Sequence, residues 1–253
     1  MSSRGRLFLF VPSAAGLLFL LIDGLRLLPA FGHYPGPYGY VLNGVAVAQR
    51  HATNLVTAVN FDYRAFDTLG EEFILFTATT GVVLMLRHMR GETDPPTPAT
   101  SRRDAGASDA LRALALAFVA TTIVTGGYVV AHGALTPGGG FQGGVVLACG
   151  AFLVFLAGEV IAMKRVAPET LLEFADAAGA AGFALLGLGG LIFSGVFFEN
   201  FLELGKPGSL NSAGTMVLVS VSIGLEVAGA FLLVWTEFLD QTLLVRSDGS
   251  EAE

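Results

Sequence analysis

Charge is scarce in this chain, and cysteine is almost absent. Asp, Glu, Lys and Arg make up only 14% of its 253 residues, where a soluble domain carries about 25%. Hydrophobic residues make up 53%. That balance excludes an ordinary water-soluble domain, and apolar runs approaching about 20 residues indicate an integral membrane protein. The one cysteine, Cys149, lies within such a run, so no internal disulfide is possible. Four scattered histidines beside it leave no spacing that suits a metal site. The formal net charge is −7, and no basic patch is interleaved with aromatics, so nucleic acid is not an expected partner. There is no CxxC, no phosphate-binding P-loop and no Ser/His/Asp arrangement. The chain reads as non-enzymatic and without a cofactor.

What is present is a series of apolar runs. The chain is expected to be all-α, with about six spanning helices over residues 7–28, 71–86, 111–131, 145–163, 175–198 and 215–239. Arg4 and Arg6 before the first run resemble a signal peptide, but the run is long and no clean small-residue cleavage site follows. An uncleaved first helix is the expectation. Residues 29–69 are mixed, with Tyr34, Tyr38 and Tyr40 suited to an interface and a short amphipathic helix expected around 41–59. Thr68-Leu-Gly-Glu71 has the spacing of a capping box and sets the expected start of the second span. The stretch from Pro95 to Ser108 is rich in Pro, Thr and Ser and reads as a linker.

Between the third and fourth runs lies His-Gly-Ala-Leu-Thr-Pro-Gly-Gly-Gly-Phe-Gln-Gly-Gly, residues 132–144. Pro137 cannot continue a helix. Gly138, Gly139 and Gly140 permit backbone angles closed to other residues. A short uncharged connection makes the flanking helices antiparallel neighbours, with the new helix starting near Phe141. A tight turn explains the glycines by itself. In the fifth run, small residues four apart (Ala178 to Gly182, Gly190 to Ser194) suggest a helix inside a bundle.

Glu226 is the foremost candidate for chemistry. It falls near the middle of the last span, where a carboxylate costs about 2.5–3.5 kcal/mol on insertion scales. Such groups face a bundle interior or water and often lie on ion paths. Ser222, one turn earlier, is positioned to donate one hydrogen bond to it. Three further ion-path candidates have local explanations beside the functional one. Glu159 stands close to Lys164 as an interfacial pair, Asp176 suits a helix N-terminus, and His132 suits a polar membrane edge.

The stretch from Leu111-Arg-Ala to His132, followed by Pro137-Gly-Gly-Gly-Phe-Gln-Gly-Gly144, closely resembles the B subunit of multisubunit Mrp-type sodium/proton antiporters. Ser212-Ala-Gly-Thr215 and Gly224-Leu-Glu-Val227 are similar to related subunits of membrane-bound hydrogenase complexes. Upstream, Thr53-Asn-Leu-Val56 and Asn60-Phe-Asp-Tyr-Arg-Ala-Phe-Asp-Thr-Leu-Gly-Glu71 resemble the C-terminal end of the antiporter A subunit. The resemblance implies a fusion: an A-tail-like segment over 1–93, a linker over 94–109 and a B-like domain over 110–253. Glu72 departs from the family, which tends to an apolar residue there. The resemblance further implies secondary exchange of sodium for protons, with A, C, D, E, F and G type subunits and the lipid bilayer as partners, in a prokaryotic plasma membrane. It places Asp62, Arg64, Asp67 and Glu71 in a charged cluster at the outer surface, which a local network bridged by Arg64 explains equally well. It makes Pro137, Gly138, Gly139, Gly140, Phe141, Gly143 and Gly144 a structural hairpin. Two other readings stay open: a subunit of an energy-converting redox complex, and a scaffold that carries no ion.

Orientation follows from Lys and Arg. With a cytoplasmic N-terminus, ten of the 14 fall inside, and Arg26, Arg50, Arg64 and Lys206 fall outside. Both termini are therefore predicted to be cytoplasmic. In a Cys149→Ser background, a cysteine at Thr97 should be labelled only from the cytoplasm and one at Thr136 only from outside. Outside labelling at Thr97 reverses the assignment.

Overall fold

The computed structural model describes residues 3–28, 36–92, 108–157 and 160–249, and every structural statement below concerns these. The chain forms two compact units, residues 1–41 and 42–253. The first holds α1 (Ser3–Arg26). Pro37 opens α2 (Pro37–Arg50), at a position where its missing N–H would have had no helical partner. α2 leads into the second unit.

The described residues are helical or irregular, with no strand among them, and the chain is an all-α membrane protein. After α2 come α3 (Leu55–Ala58), a π-helical turn over Val59–Tyr63, and α4 (Ala65–Glu92). α5 (Asp109–Ala131), α6 (Gly140–Leu156), α7 (Val160–Val166), α8 (Glu169–Ser194) and α9 (Met216–Gly249) follow. Four helices carry segments long and apolar enough to cross a membrane: Ala65–Leu86, Asp109–Ala131, Glu169–Ser194 and Met216–Asp240. α6 is apolar but shorter. The 145–163 span is thus two helices, α6 and α7, with the first starting at Gly140.

Three other boundaries differ from expectation, one of them that of α8, which runs over Glu169–Ser194 in place of the expected 175–198. The amphipathic helix begins at Pro37 and breaks at residues 51–54, where His51 takes a φ of 51° and its Nδ1 lies 2.6 Å from the Gly205 carbonyl oxygen. α4 begins at Ala65, six residues before the expected start. Thr68 does not cap it. Its hydroxyl donates to the Asn60 carbonyl at 2.7 Å, which ties the first turn of α4 back onto the π-helical turn.

α9 is the central helix. More than half of its spanning window is buried, against 28% for α8 and 17% each for α4 and α5. It packs against α8, α6, α4 and α5. The central place expected of the small-residue helix belongs to its neighbour, and α8 turns Gly179 and Gly182 to α9 but Gly187, Gly189 and Gly190 to residues 196–201. A Cβ at Gly179 would lie 2.5 Å from the Glu226 backbone nitrogen, and one at Gly229 would lie 2.8 Å from the Asp176 backbone nitrogen. Hydrogen at these two positions is what lets α8 and α9 touch backbone to backbone.

The hairpin forms as expected. α5 ends at Ala131 and α6 starts at Gly140, and the two helices pack against one another. Gly138 and Gly139 have φ of 137° and 136°, a region that L side chains rarely adopt. Gly140 has a different role: a Cβ there would stand 2.5 Å from the Ser220 carbonyl and 2.6 Å from the Ile223 Cβ. Val130 and Ser220 complete the junction, the Ser220 hydroxyl donating to the Val130 carbonyl at 2.8 Å.

Two consequences can be measured. Gly140→Ala should force α6 away from α9 and cost about 1–3 kcal/mol, the range for overpacking. Gly139→Ala has room for its methyl but a disfavoured φ, and should cost about 1 kcal/mol or more. Thermal stability of the purified protein in detergent should rank parent, Gly139→Ala, Gly140→Val, with Gly140→Val lowest. A Gly140→Val protein as stable as the parent contradicts the packing described.

Candidate functional site

Three carboxylates from three helices meet in the interior of the second unit: Glu72 on α4, Asp176 on α8 and Glu226 on α9. They are 1%, 3% and 0% exposed. The helices explain how. α4 buries Thr68, Glu72, Thr79 and Val83, at spacings of four, seven and four, along one face. α8 brings Asp176 beside Gly229 and Gly179 beside Glu226. Asp176 therefore lies about one turn further along α9 than Glu226, in the direction of Asp240.

The Glu72 and Glu226 carboxyl groups are within hydrogen-bonding reach of one another, the Asp176 charge acts on Glu226, and the Glu72 charge acts on Asp176. No other protein donor reaches any of the four Glu72 and Glu226 oxygens, nor the Oδ1 of Asp176. Two ionised carboxylates cannot hydrogen-bond each other. One proton between them makes one group a donor and the other an acceptor. Chemically, the arrangement is a pair of acids in a low-dielectric layer, suited to taking up and releasing protons. Ser222 does not serve Glu226 as expected, since no hydroxyl reaches the Glu226 oxygens and the Ser222 hydroxyl lies against Gly182 of α8.

On the hairpin side of the three carboxylates stands a polar network built on Arg50. Its Nε pairs with Asp62 Oδ1 at 2.6 Å, its Nη2 lies 3.8 Å from Glu199, and its guanidinium sits over the Tyr63 ring at 5.5 Å. Asn200 donates to Asp62 at 3.3 Å and to the Ala213 carbonyl at 3.0 Å, while its oxygen accepts from the Thr215 N–H at 2.9 Å. Burial pushes the Asp62 carboxyl above the ordinary carboxylate range, and Arg50 and Asn200 pull it back down.

The hairpin is held by a second set of contacts. The Asn54 amide nitrogen lies 2.8 Å from the Gly133 carbonyl and 2.9 Å from that of Thr136, and its oxygen accepts from Val56 N–H at the start of α3. The Thr57 hydroxyl donates to the same Gly133 carbonyl at 2.6 Å. Thr53 donates to Leu135, and the Asn54 N–H to Ala134. Carbonyls that the glycine turn would leave without partners are thereby satisfied.

Of the four ion-path candidates, the structure joins two, Glu226 and Asp176. Asp176 is not at a helix start, because α8 begins at Glu169, two turns earlier. Glu159 lies outside the described residues, and Lys164 is held instead by Asp240 at 2.6 Å. His132 is on the hairpin, stacked on Tyr128 with ring centroids 3.8 Å apart. The charged cluster divides. Asp62 turns inward to Arg50, Arg64 pairs with Asp67, and Glu71 is exposed. Sequence reasoning missed Glu72 as a site residue. The signal was available in Thr68, Glu72, Leu75, Thr79 and Val83, which recur at three and four residues through an apolar run. No group of three or more His, Cys, Asp or Glu placed to hold a metal ion occurs among the described residues.

Residues 110–233 match the family described as a domain related to the MnhB subunit of Na+/H+ antiporter. An uncharacterized protein of Methanocaldococcus jannaschii is 30% identical over 217 residues, 76% of this chain and 81% of that one. A chain of the membrane-bound sulfane sulfur reductase, an archaeal respiratory membrane complex, is similar in structure, with a TM-score of 0.70 and 27% identity over 92% of this chain and 98% of that one. A chain of the Mrp complex from Dietzia sp. DQ12-45-1b shares the fold, with a TM-score of 0.68 and 24% identity over 94% of this chain and 26% of the other.

Removing Arg50 tests the network. Arg50→Met leaves Asp62, only 4% exposed, with Asn200 as its one remaining side-chain donor. The expected loss is about 2–3 kcal/mol, below the range for fully buried pairs because Arg50 is itself a quarter exposed. The sign with pH is fixed by the raised carboxyl. Losing Arg50 raises it further, so the penalty grows as pH rises through the folded Asp62 value and shrinks on acidification towards about pH 4. A defect independent of pH, measured by thermal unfolding, contradicts this account.

Proposed function

The chain belongs to the family of domains related to the MnhB subunit of Na+/H+ antiporters, and on that footing we propose that it takes part in sodium/proton antiport within an Mrp-type membrane complex. The observation that carries the proposal is the buried pair Glu72 and Glu226, with Asp176 one turn away. Deprotonating such a pair leaves uncompensated negative charge in a low-dielectric layer. A cation entering the neighbourhood relieves that charge, and returning protons displace it. Competition for one set of charges is the simplest physical coupling between two ions. In this reading the chain is non-enzymatic, its partners are A, C, D, E, F and G type subunits, and both termini face the cytoplasm of a prokaryotic plasma membrane. A redox complex such as the reductase is the second reading, favoured by its coverage of 98% of the neighbour's chain. There the same acids would respond to electron transfer elsewhere in the assembly.

Glu226→Gln keeps the shape and removes the titration. In vesicles holding the assembled complex, sodium-driven proton movement should fall to background with Gln and persist in part with Asp. Parent-like transport by an assembled Gln variant across about pH 7–9 makes the residue structural. Coupling to an electron donor in place of a sodium gradient would favour the redox reading.

A further inference from the structure

We propose that Glu72 and Glu226 hold a single proton between them and exchange it with the Lys164–Asp240 side of the membrane by way of Asp176 and Glu237. This deepens the ion-exchange reading and rests on it only for the site being functional, since the storage and the route are independent of which cation is exchanged.

The storage half follows from burial and partners. Each carboxyl group is at least 99% buried, faces the other, and has no other protein donor. An apolar shell closes the site. On the hairpin side Phe61, Phe183, Val219 and Ile223 form a packed layer, none more than 5% exposed. The groups facing the pair carry no positive charge. α8 contributes Asp176, α4 contributes Glu71 on its exposed side, and α6 has Cys149 as its one titratable side chain. One shared proton satisfies both carboxyls and leaves one negative charge where two would repel.

The route half follows from what lines α9 beyond the pair. Eleven residues separate Glu226 from Glu237, close to three turns, so the two share a face about 16 Å apart. Asp176 stands one turn below Glu226. Next come the buried leucines Leu172, Leu232 and Leu233, and with them two buried hydroxyls, Thr79 and Thr236. The Thr236 hydroxyl oxygen has no protein partner. Glu237, 1% exposed, follows, and then the Lys164–Asp240 pair at the surface of the bundle. Ionisable groups thus recur at intervals in one direction, while in the other the apolar layer separates the pair from the Arg50–Asp62 network. Transfer needs no co-reactant: the proton leaves the pair for Asp176, and each following group gains and passes on one proton, bridged by hydroxyls and transient water.

Infrared difference spectroscopy on the purified complex in lipid, without sodium and at about pH 8, where exposed carboxyls are ionised, tests both halves. The parent should show a broad protonated-carboxyl band of a shared proton, and both Glu72→Gln and Glu226→Gln should replace it with the narrower, shifted band of a single buried carboxyl, because each leaves the proton on one group. No such band in the parent, or a band left unshifted in either variant, overturns the storage. After a pulse of heavy water, the band should shift with a rate that falls about tenfold or more in Glu237→Gln and recovers in Glu237→Asp. An unchanged rate in Glu237→Gln overturns the route. Loss of antiport with an intact band pattern counts against the sodium reading and leaves the proton site standing.

Discussion

A carboxylate inside a membrane layer is costly unless something answers its charge, and this protein places two of them face to face. Glu72 and Glu226 have only each other and the nearby Asp176 in a shell of apolar side chains. The packing around them serves that constraint. Gly179 lets α8 reach the Glu226 backbone, and Gly229 lets α9 reach that of Asp176. Larger residues at either position would push the helices apart and admit lipid or water to the acids. α9 sits at the centre, packed against α8, α6, α4 and α5.

The ends of the bundle are fastened by polar contacts. On the hairpin side, Asn54 and Thr57 occupy the carbonyls of the glycine turn, and Arg50 gathers Asp62 and Glu199. These contacts join residues 50–62 to the glycine hairpin and to Glu199 beyond α8. The two motifs singled out in the sequence, Thr53-Asn-Leu-Val56 and the glycine hairpin, are thus one structural feature. At the opposite end Lys164 and Asp240 tie α7 to α9, beside Trp235 packed on Phe152 and Phe155.

The sequence alone determined that the chain is a helical membrane protein, where α5 ends and α6 begins, and that Glu226 needs explaining. Each of these depends on local chemistry: too little charge for water, proline and glycine at a turn, a carboxylate within an apolar run. Tertiary structure decided the rest. Thr68 and Glu71 have the spacing of a cap, but the Thr68 hydroxyl is spent on Asn60, so α4 starts earlier and Glu72 lies two turns deep. Asp176 looks like a favourable first-turn residue until α8 is seen to begin at Glu169. The partner of Glu226 lies 154 positions away in the chain, on a helix that periodicity cannot place beside it. Which acid meets which is set by backbone approach between helices, and that depends on glycine contacts spread over the whole bundle.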